Sequence, residues 1–266
     1  MANILPKDKQ VAVIAALAEG CSMRALTRMT GIHRSTIAGL ALRVGQGCAQ
    51  LLDAKMRDLT CNYLQFDELW GFIGKKEKHL MVDDDPTKGD VWTFCAIDAE
   101  TKIVPAFRVG KRNLQTANAF VSDVASRLKN RPQISTDGLR AYPEAIENAF
   151  GMNVDYGMII KNYGTDTGEH HQERRYSEVV GRPDVDLICT SHIERLNRTT
   201  RLHMKRLARL TYAFSKKLEH FEAAVALHFA YYNFVRTHGT LKMTPAMAAG
   251  IERSFWTVGD LVEAAS

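Results

Sequence analysis

Residues 61–76 read CNYLQFDELWGFIGKK. Apolar and polar residues alternate here and aromatic side chains are frequent, which predicts a β-strand. Asp67 lies within the apolar part of this strand, and burying an unpaired carboxylate costs free energy, so the position requires a reason such as a bound cation. Glu68 follows directly. Because neighbouring residues of a strand point to opposite faces, we expect only one of the two acids to face a given side.

Strand and helix patterns alternate downstream of this segment. Strands are predicted at 91–98, 103–110, 132–136 and 152–160, with helices at 113–130 and 142–150. Three strands, a helix, a strand, a helix and a strand indicate an α/β fold with a mixed sheet flanked by helices. Residues 161–186 are polar and irregular, and we interpret them as a long surface excursion. His170 and His171 are adjacent within it, so they make a poor pair of metal ligands.

The N-terminal residues have a different pattern. A helix is predicted over 8–19, a second begins after a possible N-cap at Ser22, and a third runs from His33 to about Arg43 after a turn at Gly31. Two short helices joined at a glycine are typical of a helix-turn-helix. In that arrangement one face of the third helix would enter a DNA groove, and its residues there are Arg34, Ser35 and Ala38. A generic three-helix bundle fits the same pattern.

Composition and charge set limits on the class of protein. The chain has 266 residues, a hydrophobic share of 45% and a net charge of +5, as in ordinary soluble proteins. It has no apolar run as long as a membrane span and no signal-peptide pattern, so we expect a cytoplasmic protein and no membrane partner. The five cysteines are scattered and never form a C-x-x-C pair. This argues against a disulfide framework or a structural zinc site.

A cationic block marks the C-terminal third. Residues 195–217 contain eight lysines and arginines and no acid, which favours a polyanionic partner over a merely solvated helix face. We predict a nearly continuous helix here, with a break near 211–215. On that helix one face would carry Glu194 together with the side chains of Asn197, Arg198, Arg201 and Lys205, which could hold a phosphate backbone.

Three acids are therefore candidates for a metal site: Asp67 within a strand, Asp137 just after the strand 132–136, and Glu194 at the start of the cationic helix. Carboxylate oxygens suit Mg²⁺, and such a cluster can hold two ions that cleave or join phosphodiesters. Each acid has a plainer alternative. Asp137 precedes Gly138 in a common turn pair, and Glu194 fits the capping box that begins at Ser191.

Three motifs resemble a known family when they are taken together and in order: DELWGFIGKK (67–76), STDGLRAYPEAI (135–146) and HIERLNRTTRLHMKRLARLTYAFSKK (192–217). With the N-terminal helices and the closing YYNFVRTHGTLKMTPAMAAGI (231–251), the chain resembles bacterial insertion-sequence transposases of the insertion sequence one family, within the DDE transposase/integrase superfamily. The resemblance covers nearly the whole chain.

The resemblance implies a ribonuclease-H-like catalytic domain in which Asp67, Asp137 and Glu194 are the Asp-Asp-Glu triad that binds divalent metal. The expected cofactor is Mg²⁺, with two ions and Mn²⁺ as a substitute. The expected partners are double-stranded element ends and target DNA, bound by a homodimer or larger assembly at the bacterial nucleoid. His192 is a weaker candidate for a DNA contact, and the closing residues Asn233, Arg236 and His238 match an integrase-like motif of uncertain role.

These inferences divide the chain into four parts: a helix-turn-helix domain (1–48), a linker (49–62), a catalytic domain (63–240) and a C-terminal tail (241–266). Three other functions stay open at this point. They are a DNA-binding regulator without catalysis, a decayed transposase, and a nuclease that cuts DNA without joining it.

Overall fold

The computed structural model of the chain describes residues 5–163 and 172–266. The strands are β1 (Tyr63–Ile73), β2 (Gly89–Asp98), β3 (Phe107–Gly110), β4 (Gln133–Thr136), β5 (Asp155–Tyr163) and β6 (Gln172–Val180). The α-helices are α1 (Lys7–Ala18), α2 (Met23–Thr30), α3 (Arg34–Lys55), α4 (Leu114–Arg127), α5 (Ala141–Phe150), α6 (Ser191–His203), α7 (Leu218–Ala230), α8 (Pro245–Ala248) and α9 (Val258–Ala264). None of the helices in these ranges has the length and apolar character needed to cross a membrane.

The chain divides into two compact units. We call Met56–Leu69 with Trp92–Asn197 the sheet unit, and Met1–Lys55, Trp70–Val91 and Arg198–Ser266 the helical unit. β1, β2 and α6 contribute residues to both. The functional boundaries predicted at 48, 62 and 240 stay predictions, because the units describe compactness and not function.

The six strands form one mixed sheet in the order β3-β2-β1-β4-β5-β6. β1 pairs in parallel with β4, β4 pairs in parallel with β5, and β2 pairs antiparallel with β3. The mixed α/β sheet expected from the sequence is therefore confirmed, and its arrangement is consistent with a ribonuclease-H-like fold. β4 is only four residues long and wholly buried, so the chain emerges from the sheet at Asp137.

Aromatic side chains fill the core of the sheet unit. The ring of Phe66 on β1 lies 5.2 Å from Phe120 on α4 and 5.9 Å from Tyr142 on α5, measured between centroids. Phe94 on β2 lies 5.9 Å from Phe120. Edge-on and tilted pairs at these distances are favourable beyond the area that they bury. The same cluster places the Tyr142 hydroxyl close to Glu68 on β1, which matters for the site below.

The excursion predicted over residues 161–186 is partly wrong. Residues 172–180 form β6, which pairs antiparallel with β5 at the edge of the sheet. The sequence QERRYSEVV lacks an apolar alternation because an edge strand can expose charges, which also discourage pairing with other chains. His170 and His171 lie outside the described residues.

The N-terminal helices follow the predicted pattern, with one difference in length. The Ser22 hydroxyl caps α2 by accepting a hydrogen bond from the Ala25 N–H, and Gly31 ends α2 with a φ of +70°, a conformation that favours glycine. α3 continues well beyond Arg43 to Lys55, through the first half of the predicted linker. It packs along α7 within the helical unit, so the apolar face on its second half is buried.

The prediction of a nearly continuous helix in the cationic segment is partly wrong, because the break predicted near 211–215 is much wider. α6 ends at His203, a short 3₁₀ turn covers Lys205–Leu207, and α7 begins at Leu218. Arg206 contributes to the break, because its Nη1 donates hydrogen bonds of 2.8 Å to both the Ser215 hydroxyl and the His220 carbonyl. Lys205 therefore does not continue the helical face that carries Glu194.

Two glycines of α3 provide a matched test of this packing. A Cβ at Gly45 would lie 2.2 Å from the Ala223 carbonyl oxygen, whereas a Cβ at Gly39 would meet nothing within 4 Å. We expect Gly45→Ala to lower the free energy of unfolding by about 1–3 kcal/mol through overpacking, and Gly39→Ala to raise it by about 0.5–1 kcal/mol through helix propensity. Urea unfolding of both variants measures this. Equal effects would contradict the close approach of α3 and α7.

Candidate metal centre

The parallel pairing of β1 and β4 brings two of the three predicted acids together. Its register aligns Leu64 with Ile134 and Gln65 with Ser135. Two residues further along each strand stand Asp67 and Asp137, so the same register places them side by side. Asp137 lies just past the last residue of β4, and its Oδ1 accepts a hydrogen bond from the Leu139 N–H at 3.1 Å. It is therefore both a turn residue and a neighbour of Asp67.

Glu68 joins these two acids, which the sequence analysis did not expect. One carboxylate oxygen from each of Asp67, Glu68 and Asp137 lies within 4.8 Å of the other two. The assumption that only one of Asp67 and Glu68 could serve this region is wrong, because a glutamate side chain is long enough to return towards the position of its neighbour. The partner that holds it, Arg112, is 44 residues away in sequence, and no local pattern indicates the pairing.

Asp67 is held by two donors. The Glu68 backbone N–H donates to its Oδ1 at 2.8 Å, and the Asn197 side-chain amide donates to its Oδ2 at 2.7 Å. Asn197 is 3% exposed, and its side-chain amide contacts Asp67. Its predicted role in DNA binding stays a prediction.

Electrostatic strain is concentrated in the two neighbouring acids of β1. Burial raises the pKa of Asp67 to about 6, and the charge of Asp137 adds to the shift, while the two hydrogen bonds oppose it. Burial also raises the pKa of Glu68 to about 7. The Tyr142 hydroxyl and the Arg112 guanidinium favour the ionised form of Glu68 without cancelling the effect of burial. A bound cation would relieve the repulsion that these groups experience.

Glu194 lies near this cluster but outside the group of three. It is in the first turn of α6, its Oε1 accepts a hydrogen bond from the Thr190 hydroxyl at 2.8 Å, and its charge is one of those that raise the pKa of Asp67. The capping box predicted at Ser191 takes another form. The Ser191 N–H contacts the Cys189 sulfur at 3.3 Å, and the Glu194 N–H donates to the Thr190 carbonyl.

Buried side chains of the sheet fix where α6 begins. The Gln65 side-chain carbonyl accepts hydrogen bonds from the N–H groups of His192 at 2.9 Å and Ile193 at 3.1 Å. The Ser135 hydroxyl accepts from the Cys189 N–H at 3.3 Å. The first N–H groups of a helix have no partner inside the helix, so a buried glutamine that satisfies two of them sets the position of α6 and thereby of Glu194 and Asn197.

The residues present fit a divalent cation. Three carboxylates supply the hard oxygen ligands that Mg²⁺ and Mn²⁺ prefer. The side-chain oxygen of Asn197, whose amide contacts Asp67, is buried without a hydrogen-bond partner. Such atoms are uncommon in native proteins and indicate an absent ion, water or ligand.

The other predicted residues lie outside this cluster. Arg34 and Ser35 are exposed in the first turn of α3 and Ala38 is half-buried, while Arg198 and Lys205 are exposed and Arg201 is half-buried. His192 faces Lys102, with 3.3 Å between Nδ1 and Nζ.

The closing motif is part of the helical unit. Asn233 is fully buried in a π-helical turn over Tyr231–Val235. An Nη1 of Arg236 lies 2.5 Å from the Nε2 of His203, and the His238 N–H donates to the Met243 carbonyl. These contacts give the motif a packing role, and its resemblance to an integrase-like motif stays a prediction.

Comparisons with known proteins support the fold. No protein-family model matches the chain, and no curated protein sequence matches it. Among solved structures, the chain is similar to the cryo-EM structure of a piggyBac transposase synaptic complex with hairpin DNA. The TM-score is 0.51 at 8% sequence identity, over 97% of this chain and 69% of the other. At this identity the similarity shows a shared fold, so the chain has a fold that a transposase also has.

The anchoring of α6 can be tested with two buried glutamines. Gln65→Leu would leave the His192 and Ile193 N–H groups unsatisfied, and we expect a loss of about 1–3 kcal/mol in the free energy of unfolding. Hydrogen exchange at both amides should accelerate.

Gln133→Leu is the matched control, because Gln133 makes two similar hydrogen bonds with Asp184. It should cost similar stability without accelerating exchange at residues 192 and 193. Unchanged exchange in Gln65→Leu would contradict the proposed anchoring of α6.

The raised pKa of Asp67 predicts a pH-dependent stability. The free acid has a pKa near 3.9, so between about pH 4 and 6 the folded chain binds more protons than the unfolded chain, and stability falls as pH rises. At about pH 8 in metal-free buffer, Asp67→Asn should be more stable than wild type by about 2–3 kcal/mol. Thermal unfolding across pH measures this effect.

Asp186→Asn, at an exposed position, serves as the control and should behave as wild type. Added Mg²⁺ should stabilise the wild type and not Asp67→Asn. An Asp67→Asn variant less stable than wild type at every pH would show that the ionised carboxylate is not strained.

Proposed function

We propose that the chain is a DDE-type DNA transposase that binds the ends of an insertion sequence and carries out metal-dependent phosphodiester cleavage and strand transfer. The observation that carries the proposal is the juxtaposition of Asp67 and Asp137 on parallel strands, with Glu194 nearby on α6. The fold shared with a transposase supports it, and so does the resemblance of the three motifs to the insertion sequence one family.

The chain's own groups would hold and orient the site. Asp67, Asp137 and Glu194 are the proposed ligands of two Mg²⁺ ions. Asn197 fixes one oxygen of Asp67, and Thr190 fixes one oxygen of Glu194. When bound, the ions supply activation of a water or 3′-hydroxyl and stabilisation of the leaving oxygen. Positioning by rigid strands matters because reacting groups must be held within a fraction of an ångström.

Two cationic surfaces would bind DNA. The first is the exposed start of α3 with Arg34 and Ser35, where a recognition helix of a helix-turn-helix would read element ends. The second is the acid-free stretch 195–217, in which Arg195, Arg198 and Lys205 are exposed and would bind phosphates. A homodimer or larger assembly in a bacterial cytoplasm would bring two ends together.

A plasmid assay tests this function. Purified chain is incubated with Mg²⁺ and DNA that carries the sequences flanking its own gene, beside Asp137→Asn, Glu194→Gln and the exposed control Glu147→Gln. We expect wild type and the control to join ends to target DNA, and the two site variants to bind ends without cutting.

Other outcomes distinguish the alternatives. End binding without cutting by every protein would indicate a regulator or a decayed transposase, and nicking without joining would indicate a nuclease. Full activity of Glu194→Gln would reduce Glu194 to a structural residue of α6.

A further inference from the structure

Glu68 is the least expected member of the acidic cluster, and its two oxygens differ in their surroundings. The side chain is 1% exposed, and its Oε2 accepts a hydrogen bond from Arg112 Nε at 3.1 Å. Its Oε1 is buried and accepts no hydrogen bond of good geometry, and the nearby Tyr142 hydroxyl favours the ionised form. A buried ion pair that served only stability would be expected to satisfy both oxygens, because an unsatisfied charged group is costly.

Arg112 is itself held in place. Its guanidinium carbon lies 4.9 Å from the centre of the Trp92 ring on β2, a cation–π distance. It immediately precedes Asn113, whose side chain caps α4 by accepting a hydrogen bond from the Thr116 N–H. With its head on an aromatic ring and its backbone directly before the capped start of α4, Arg112 holds one oxygen of Glu68.

Glu68 also reaches the acidic cluster. A carboxylate oxygen of Glu68 lies within 4.8 Å of one from Asp67 and one from Asp137. The fully buried Tyr142 hydroxyl lies close to Glu68 and favours its ionised form. The side-chain oxygen of Asn197, whose amide contacts Asp67, is buried without a hydrogen-bond partner, which indicates a missing partner at the cluster.

Charge balance leads to the same conclusion. When ionised, the three carboxylates of the cluster and the nearby Glu194 carry four negative charges, and Arg112 supplies one positive charge. Divalent cations would offset the remaining negative charge, whereas the described hydrogen bonds from Asn197 and from backbone N–H groups do not. Burying uncompensated charge is costly.

We propose that Glu68, held by Arg112, is a further carboxylate ligand of the divalent-cation site, in addition to the Asp-Asp-Glu triad; this rests on the proposed function, which places the cation there. Arg112 acts through Glu68 and is a positioning residue. The cation site then begins with two consecutive residues of β1.

Binding of Mn²⁺ alone tests this proposal, because it needs neither DNA nor activity. The dissociation constant is measured by electron paramagnetic resonance or calorimetry on the full chain without DNA, with folding checked by circular dichroism. The variants are Glu68→Gln, Asp137→Asn as the reference for a lost ligand, and the exposed Glu147→Gln as the control. We expect Glu68→Gln to weaken binding about tenfold or more, comparably to Asp137→Asn, and the control to match wild type.

The outcomes distinguish the role of Glu68 from the existence of the cation site itself. If Asp137→Asn loses affinity while Glu68→Gln binds Mn²⁺ as wild type does, Glu68 is only the partner of Arg112 and the inference is overturned, while the proposed function stands. If wild type does not bind Mn²⁺, or Asp137→Asn binds it equally well, the cation site fails and the proposed function with it.

Glu68→Asp keeps the test decisive if Glu68→Gln does not fold. It retains the charge but withdraws the carboxylate by one methylene, so a ligand should lose affinity in part. A purely structural ion pair would change the melting temperature and leave the Mn²⁺ dissociation constant unchanged.

Discussion

The candidate site depends on the hydrogen bonds that one buried glutamine accepts from the start of α6. Gln65 satisfies two N–H groups at the start of α6 from a position on β1 two residues before Asp67. Because a buried donor without a partner is costly, this contact fixes the helix against the strand. The Asn197 amide on α6 then reaches Asp67, and Glu194 lies in the first turn of the same helix. Strand register sets the position of Asp137 in the same way.

Without a bound cation, repulsion and burial of the carboxylates strain the candidate site electrostatically. Asp67 and Glu68 are buried beside Asp137, and burial raises the pKa of both β1 acids. Natural proteins retain such arrangements where function requires them and offset them elsewhere. Here the aromatic cluster of Phe66, Phe94, Phe120 and Tyr142 beneath β1 supplies rigid packing that can offset the strain. A bound cation would attract each carboxylate and so offset the repulsion between them.

Sequence patterns predicted some parts of this arrangement and missed others for identifiable reasons. Asp137 could be found because a strand, an acid and a glycine stand in order. Glu68 was discounted because alternation along a strand places it opposite Asp67, a rule that ignores the length of its side chain and the distant Arg112. The prediction that one helical face continues from Glu194 to Lys205 failed because α6 ends at His203. Just beyond that end, Arg206 forms contacts that hold the chain out of a regular helix. β6 was missed because an edge strand has no apolar alternation to detect.

By itself the sequence determined the α/β class, the order of most elements, the cap at Ser22, and the presence of acids at a strand and a strand end. These are local properties, since propensity, capping and periodicity depend on residues a few positions apart. Only the tertiary structure decided that Glu68 accompanies Asp67 and Asp137, that Gln65 anchors α6 and that Arg112 holds Glu68. The contacts of Arg112 with Glu68 and of Gln65 with α6 join residues 44 to 128 positions apart, and their pairing follows from packing and charge, which no local pattern encodes.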